Sequence, residues 1–316
     1  MGECMIKNKK AVLCLLVSLS MLSSLFSSPT SEQAPMKIGI MPDADSLPFL
    51  LAQERSLFTE AGLAVELVPF QSPVERDAAF QAGRLDGFVG DTLGALFLEQ
   101  AGFDISVTSI TNGRYGLVAS PAKNIKSIKD LGGKEIAVSS NTIIEYLASS
   151  LVLSAGVERE AFKTIAIPKI PVRLEMVLSS QISAACLPEP FYTLALNKGA
   201  IDLGNSTSLD DAPGLMIFSA KFVETHKDTL LSFYQAYWEA ARMINADSDA
   251  YRDFLVASTG FPEAIRDVYQ FVEYTKPSVP TEDQVFKVVS WMEDHALLTN
   301  PPSYENLVDD SIIAGL

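Results

Sequence analysis

A chain of 316 residues is long enough for one large or two medium α/β domains with true cores, and 48% hydrophobic against 20% charged residues excludes a disordered chain. The formal charge is −15 and no Lys/Arg cluster follows residue 10, which excludes a nucleic-acid partner, because phosphate binding needs a basic face.

The first thirty residues stand apart. Lys7, Lys9 and Lys10 precede an apolar run from Ala11 to Phe26, and a Ser/Pro/Thr-rich stretch ends it. That order is the order of a secretory signal peptide over residues 1–30, with cleavage between 24 and 35. The run of about 16 residues contains several serines and falls short of the ~20 apolar residues a spanning helix prefers. Met5, directly before the basic residues, is an alternative start. Cys4 and Cys14 lie in the leader, and Cys14 sits near the beginning of the apolar run rather than its end, so no lipid anchor is expected. Cys186 is alone in the rest of the chain, which leaves no intramolecular disulfide and no cysteine-built metal site there. No metal and no cofactor are expected.

Beyond the leader, strands and helices alternate. Met36–Met41 is a β-rich run, and Ser46-Leu47-Pro48 opens a helix read as continuous to Glu60, with Gly62 ending it. Leu63–Phe70 alternates as a half-buried strand. Ser72-Pro73-Val74-Glu75 reads as a capping box, with Gly83 closing the helix. Asp86–Gly90 is a buried strand, Thr92–Gln100 a helix, and Ile105–Thr111 and Tyr115–Ser120 further strands. The style then repeats: strand Lys134–Val138, helix from Asn141 or Thr142 to about Ser154, strand Thr164–Ile167, helix Val172–Ser180, strand Ile182–Leu187 and helix Phe191–Asn197. After a strand at Leu215–Ser219 the chain reads as nearly all helix, including Thr229–Asn245, Ala250–Ser258, Pro262–Val272 and Glu282–Leu298. Such alternation argues for an α/β fold whose mostly parallel sheets are covered on both faces.

Several stretches together resemble one family. Gly39–Phe58 with Ala61-Gly62-Leu63, then Ile128–Val138, Leu187-Pro188-Glu189-Pro190-Phe191 and Phe222–Leu230, are similar to type II periplasmic solute-binding proteins of ABC importers. The likeness is to the branch that binds nitrate, sulfonates, taurine and thiamine-pyrimidine precursors. It implies a two-lobed Venus-flytrap fold. Lobe one would be residues 36–116 and 214–316, with the helical C-terminal segment packed on it, and lobe two residues 117–213. It also implies a monomer in the periplasm that captures a small molecule between its lobes and delivers it to a membrane permease.

In open α/β sheets ligands sit beyond the carboxyl ends of strands, near helix N-termini. That rule selects Asp43, Asp45 and Ser46 after the first strand, where helix capping is the competing role. It also selects Asp91 and Thr92 after the third strand, and the hydroxyl- and amide-rich loop Ser139-Ser140-Asn141-Thr142. Asn112 and Tyr115 lie at the expected first crossing, and Arg114 between them is the candidate anion clamp, against a plain hinge turn. Glu189, fixed between two prolines, is placed to accept hydrogen bonds from a nitrogenous ligand. His226 and His295 read as solvated, and Trp238 and Trp291 as core. The carboxylates favour a nitrogen heterocycle such as a thiamine-pyrimidine precursor. A sulfonate, taurine or another small anion is the alternative. An enzyme on the same fold, of the menaquinone-pathway type, would need a nucleophile–base motif that the sequence does not display, and a receptor's sensory domain would need an output element.

Overall fold

A computed structural model describes residues 34–208, 214–259 and 262–316. The expected signal peptide lies outside the described residues.

Two five-stranded sheets organise the chain. The first contains β1 (Met36–Ile40), β2 (Val65–Pro69), β3 (Gly87–Asp91), β4 (Ile105–Thr111) and β10 (Gly214–Ser219), in the order β2-β1-β3-β10-β4. The second contains β5 (Tyr115–Ala119), β6 (Glu135–Val138), β7 (Lys163–Ala166), β8 (Ala184–Pro188) and β9 (Ile201–Asn205), in the order β7-β6-β8-β5-β9. In each sheet one strand opposes its neighbours: β10 is antiparallel to β3 and β4, and β5 to β8 and β9. The chain crosses from the first sheet to the second between Thr111 and Tyr115, and returns between Asn205 and Gly214.

The two orders match position by position, β2 with β7, β1 with β6 and β3 with β8. Their helices match too. α1 (Leu47–Glu54) follows β1 after a 3-10 turn, and α2 (Leu57–Glu60) follows it; α3 (Pro73–Gln81) follows β2, and α4 (Thr92–Gln100) follows β3. In the second lobe α5 (Ile143–Ser154) follows β6, α6 (Ile170–Leu178) follows β7, and α7 (Phe191–Asn197) follows β8. The repeat is therefore one of topology, which the residues themselves do not display. α8 (Ala220–Thr225), α9 (Lys227–Ala246), α10 (Arg252–Thr259), α11 (Glu282–Asp294) and α12 (Tyr304–Leu307) complete the chain. α9 packs on α1 through Phe49, Phe233 and Tyr237, whose rings stack or tilt against one another, and α11 packs on α4.

Four local readings change. The helix expected from Ser46 to Glu60 breaks, because Ser56 adopts a left-handed φ of 60° after Arg55 has capped α1. At α3 the Ser72 hydroxyl does accept from the Glu75 N–H, but the Glu75 carboxylate pairs with Lys169 at 3.3 Å instead of turning back. β9 was not anticipated: only Leu203 of its five residues is buried, so it lacks the alternation of a half-buried strand. The helix expected over Pro262–Val272 is a short 3-10 turn, Glu263–Ile265, after which a turn over 266–268 leads into a strap without regular structure that reaches α11. That strap buries Tyr269 and Tyr274, bonds Gln270 O to Arg114, and receives the Ile110 N–H at Ser278 O.

Candidate functional site

The carboxyl ends of β1, β3 and β6 and the first turns of α3, α5 and α6 converge on one narrow cavity of about 40 Å³. Met41, Asp43, Asp45, Arg76, Gly90, Asp91, Tyr115, Ser139, Thr142, Ile143 and Arg173 are among its walls. Both lobes contribute. A wider groove of about 420 Å³ lies against α11, lined by Val285, Phe286, Pro301 and Tyr304, but among the described residues no buried unpartnered polar atom faces it. The narrow cavity has two such groups, both arginines.

Arg173 has 0% exposure and no carboxylate within ion-pair distance among the described residues. Its Nη1 donates to Ser139 Oγ (3.0 Å) and Ile167 O (2.8 Å), while Nε and Nη2 have no hydrogen-bond partner. Burial pulls its pKa down to about 10. Arg76 is 3% exposed; Nη1 donates to Val89 O and Nε to Asp77 Oδ1. Its Nη2 lies 2.7 Å from the same Asp77 oxygen, too misaligned to bond it, and the guanidinium lies over the Phe88 ring at 4.7 Å. The two arginines occupy the same place: each is the fourth residue of its helix, in helices that follow equivalent edge strands. A cation so near a helix N-terminus opposes the helix dipole, so neither position is explained by helix stability.

The acids are also buried. Asp43 Oδ1 accepts from the Ser46 N–H and hydroxyl, and Ser46 Oγ in turn accepts the Met41 N–H. Asp45 accepts from the Thr111 hydroxyl (2.7 Å) and the Tyr115 hydroxyl (2.8 Å). Gly113 and Gly214 abut Asp45 so closely that a Cβ on either would collide with its carboxylate. Asp91 caps α4 by accepting the Gly94 N–H at 2.9 Å, and the N–H of Ile143, opening α5 in the other lobe, also stabilises its carboxylate. Burial raises the pKa of all three; for Asp43 the charge of Asp45 adds to it and the value reaches about 7.

A pH dependence follows. Raised folded-state values mean that folding takes up protons between the ordinary carboxylate range and about pH 7, so this stability is present at low pH and is lost as pH rises through 7. Asp130 and Asp253 have lowered values and lose their contribution only below the ordinary range, outside this window, while His295, whose pKa burial lowers, works in the opposite sense within it as one partly buried group against three buried acids. The protein without added solute is expected to melt at a lower temperature at pH 8 than at pH 5.5 in scanning calorimetry. A higher melting temperature at pH 8 would mean that the three acids ionise without penalty.

The other expected residues fall elsewhere. Ser46 and Thr92 are buried beside the cavity but do not line it. Asn112 bonds Thr275 of the strap through both its amide atoms. In the Ser139–Thr142 loop, Ser139 and Thr142 face the cavity while Ser140 and Asn141 do not, and Asn141 takes a φ of 62° with its N–H donating to Glu145. Arg114 and Glu189 meet each other: Nε and Nη2 donate to Oε1 at 2.9 and 2.5 Å, and Glu189 also accepts the Thr193 N–H and hydroxyl. They line a separate groove beside the crossing, so the pair braces the crossing and does not face the narrow cavity. His226 and His295 lie off the cavity. Burial pushes the Cys186 thiol up to about 12.

Lobe-to-lobe contacts surround the cavity. Ala44 N–H donates to Glu189 O, Ile170 N–H to Gln71 O, Lys169 pairs with Glu75, and Tyr146 of α5 meets Trp291 of α11 edge-on at 5.6 Å.

A family model described as "NMT1/THI5 like" matches residues 43–250. A Brachyspira hyodysenteriae protein named as an ABC transporter periplasmic binding protein is 24% identical, with 85% of each chain covered. The alkanesulfonate-binding protein SsuA of Xanthomonas axonopodis pv. citri, solved with MOPS, superposes with a TM-score of 0.76 at 19% identity, covering 88% of this chain and 99% of that one. The desulfurization enzyme DSZB shares the fold at a TM-score of 0.63 and 15% identity, covering 89% and 98%.

Proposed function

The chain belongs to the NMT1/THI5-like family, and on that premise we propose that it is the exported solute-binding component of an ABC importer, closing its two lobes around a small solute that bears an anionic group. The observation that carries this reading is Arg173: a guanidinium with 0% exposure, two unpartnered nitrogens and a place in the cavity wall. A buried charge without a partner is strongly unfavourable. A sulfonate, phosphate or carboxylate oxygen at Nε and Nη2 supplies that partner with the fork geometry arginine favours.

Closure follows the same chemistry. Arg76 belongs to one lobe and Arg173 to the other, so an anion between them bonds both only when the lobes meet, the differential contact that drives a population toward the closed form. The closed form is then what docks on the permease, and a monomer suffices. A nitrogen heterocycle is the second reading, favoured by the buried Asp43, Asp45 and Asp91. Thermal-shift titration with ethanesulfonate, phosphate and an aminopyrimidine separates the two. An anion is expected to raise the melting temperature; protection by the aminopyrimidine alone would overturn the anion reading. Mass spectrometry of the recovered solute is expected to find it unchanged, and a converted product would make the protein an enzyme.

Trp291 offers an independent reporter of closure, because its ring meets Tyr146 across the lobes. In a Trp238→Phe protein, where it is the single tryptophan left, its emission is expected to shift on titration with a binding anion. An unchanged spectrum under saturating anion would mean that binding does not move the lobes.

A further inference from the structure

A second pocket, of about 300 Å³, straddles the lobes beside the contact between Trp291 and Tyr146. Lobe one supplies Trp291 and His295 from α11, and lobe two supplies Glu145 from α5 with Arg159, Glu160 and Lys163. The rings of Trp291 and His295 stack at 3.8 Å, and Trp291 Nε1 and His295 Nε2 are both buried without a hydrogen-bond partner. His295, expected on a solvated face, is thus partly buried in the seam between the lobes. Resting on the reading that an anionic solute closes the lobes, we infer that closure expels a proton from His295, so that acid opens this seam and releases the solute.

The hydrogen bonds fix which ring nitrogen carries the hydrogen. Nδ1 lies 2.6 Å from Trp291 O, and a carbonyl can only accept, so Nδ1 is the donor. A neutral ring then leaves Nε2 as a bare acceptor, whereas a protonated ring makes it an N–H donor with no acceptor. An unmet donor on a charged ring costs more than an unmet lone pair on a neutral one. Glu145 does not supply the acceptor, because its oxygens already take the Asn141 N–H and the Thr164 hydroxyl, both at 2.8 Å. Glu160 and Lys163 stand in the same wall with opposite signs. Burial, above all, holds the imidazole below the ordinary histidine value while the lobes touch; Arg159 acts in the same sense, and the Trp291 carbonyl, Glu145 and Asp294 act against it. Parting the lobes takes α5 and the Arg159 turn off the ring and returns it to water, where the ordinary value of about 6.5 applies. The open form therefore binds more protons than the closed one. Affinity for a solute that needs the closed form falls as pH drops through the histidine range.

The chain has two histidines, His226 and His295, so in a His226→Gln protein the imidazole signals report His295 alone. Its titration is followed by proton NMR with and without saturating ethanesulfonate or nitrate, anions that stay ionised throughout. The midpoint is expected to fall when the anion is bound, although the anion's own charge, acting by itself, would raise it. An unchanged or higher midpoint overturns the inference and leaves the anion reading standing. No binding of either anion at any pH overturns both. Titration calorimetry at pH 5.5 and pH 7.5 reads the consequence for capture. The ratio of the two Kd values, acid over neutral, is expected to be about threefold or more larger in wild type than in His295→Gln. Asp43 titrates in the same range, and the comparison of the two proteins cancels it. Equal ratios overturn the inference. If His295→Gln does not fold, the NMR midpoint decides, because that measurement leaves His295 in place.

Discussion

Arg173→Met is expected to abolish capture of anionic solutes while leaving the protein without solute as stable as wild type or more stable. The two effects have one origin. Removing one partner of a buried, hydrogen-bonded charge pair costs about 2–5 kcal/mol of binding, roughly thirtyfold to several-thousandfold in affinity. In the protein alone the same guanidinium has no counter-charge and two unpartnered nitrogens, so its removal relieves a desolvation penalty. Against this stand the bonds to Ser139 Oγ and Ile167 O, worth about 1 kcal/mol each. Methionine fills much of the same volume, and replacing buried ionic groups with apolar ones is often neutral or stabilising by about 1–4 kcal/mol. Titration calorimetry and thermal melting of the two proteins side by side check both halves. A variant that melts well below wild type would mean that Arg173 is a structural strut; one that still binds the anion would mean that the charge is not what holds it.

Arg114→Ala is expected to give the largest loss of stability. Glu189 has 0% exposure, and Arg114 is the ion-pair partner it has among the described residues. Deleting the partner leaves a buried carboxylate held only by Thr193, a change worth about 3–5 kcal/mol, or a fall in melting temperature on the order of 10 °C for a chain of this size. The bond from Arg114 to Gln270 O is lost as well, which frees the strap. Glu189→Gln in the same background is expected to recover part of the loss, because the amide oxygen still accepts from Thr193 without carrying charge. Equal stability of Arg114→Ala and wild type would mean that Glu189 reaches solvent, and recovery would then be absent too.

These two arginines mark what the residues disclose and what they conceal. The loops of the site were legible because helix caps are local: Asp91, Ser72 and Thr142 each precede a helix and each accepts a hydrogen bond from its first turn. Strand ends followed by such caps point to the cavity, and Asp43, Asp45, Asp91, Tyr115, Ser139 and Thr142 do meet there. Arg76 and Arg173 were missed because an arginine one turn into a helix reads as solvated. A signal was present. Both helices open with proline in the first turn followed by valine, Pro73-Val74 and Pro171-Val172, and both place arginine at the fourth helical residue, where the dipole disfavours it. Its meaning appears only once the two sheet orders are set side by side. The Arg114–Glu189 pair spans 75 residues of sequence, a distance over which no local pattern operates, so each side chain by itself looked available to a ligand. The strap misled for a related reason: Tyr269 and Tyr274 are buried by the hinge they cover, not by one face of a helix.

A solute whose anionic group rests on Arg173 is lost when that side chain is removed. Native mass spectrometry of the protein purified undenatured from its own cells tests it most directly, with Arg173→Met expressed and purified in parallel. The expected result is a small-molecule adduct on the wild-type protein that carries an acidic group and is absent from Arg173→Met. An adduct retained equally by both proteins, or one without an acidic group, would contradict it.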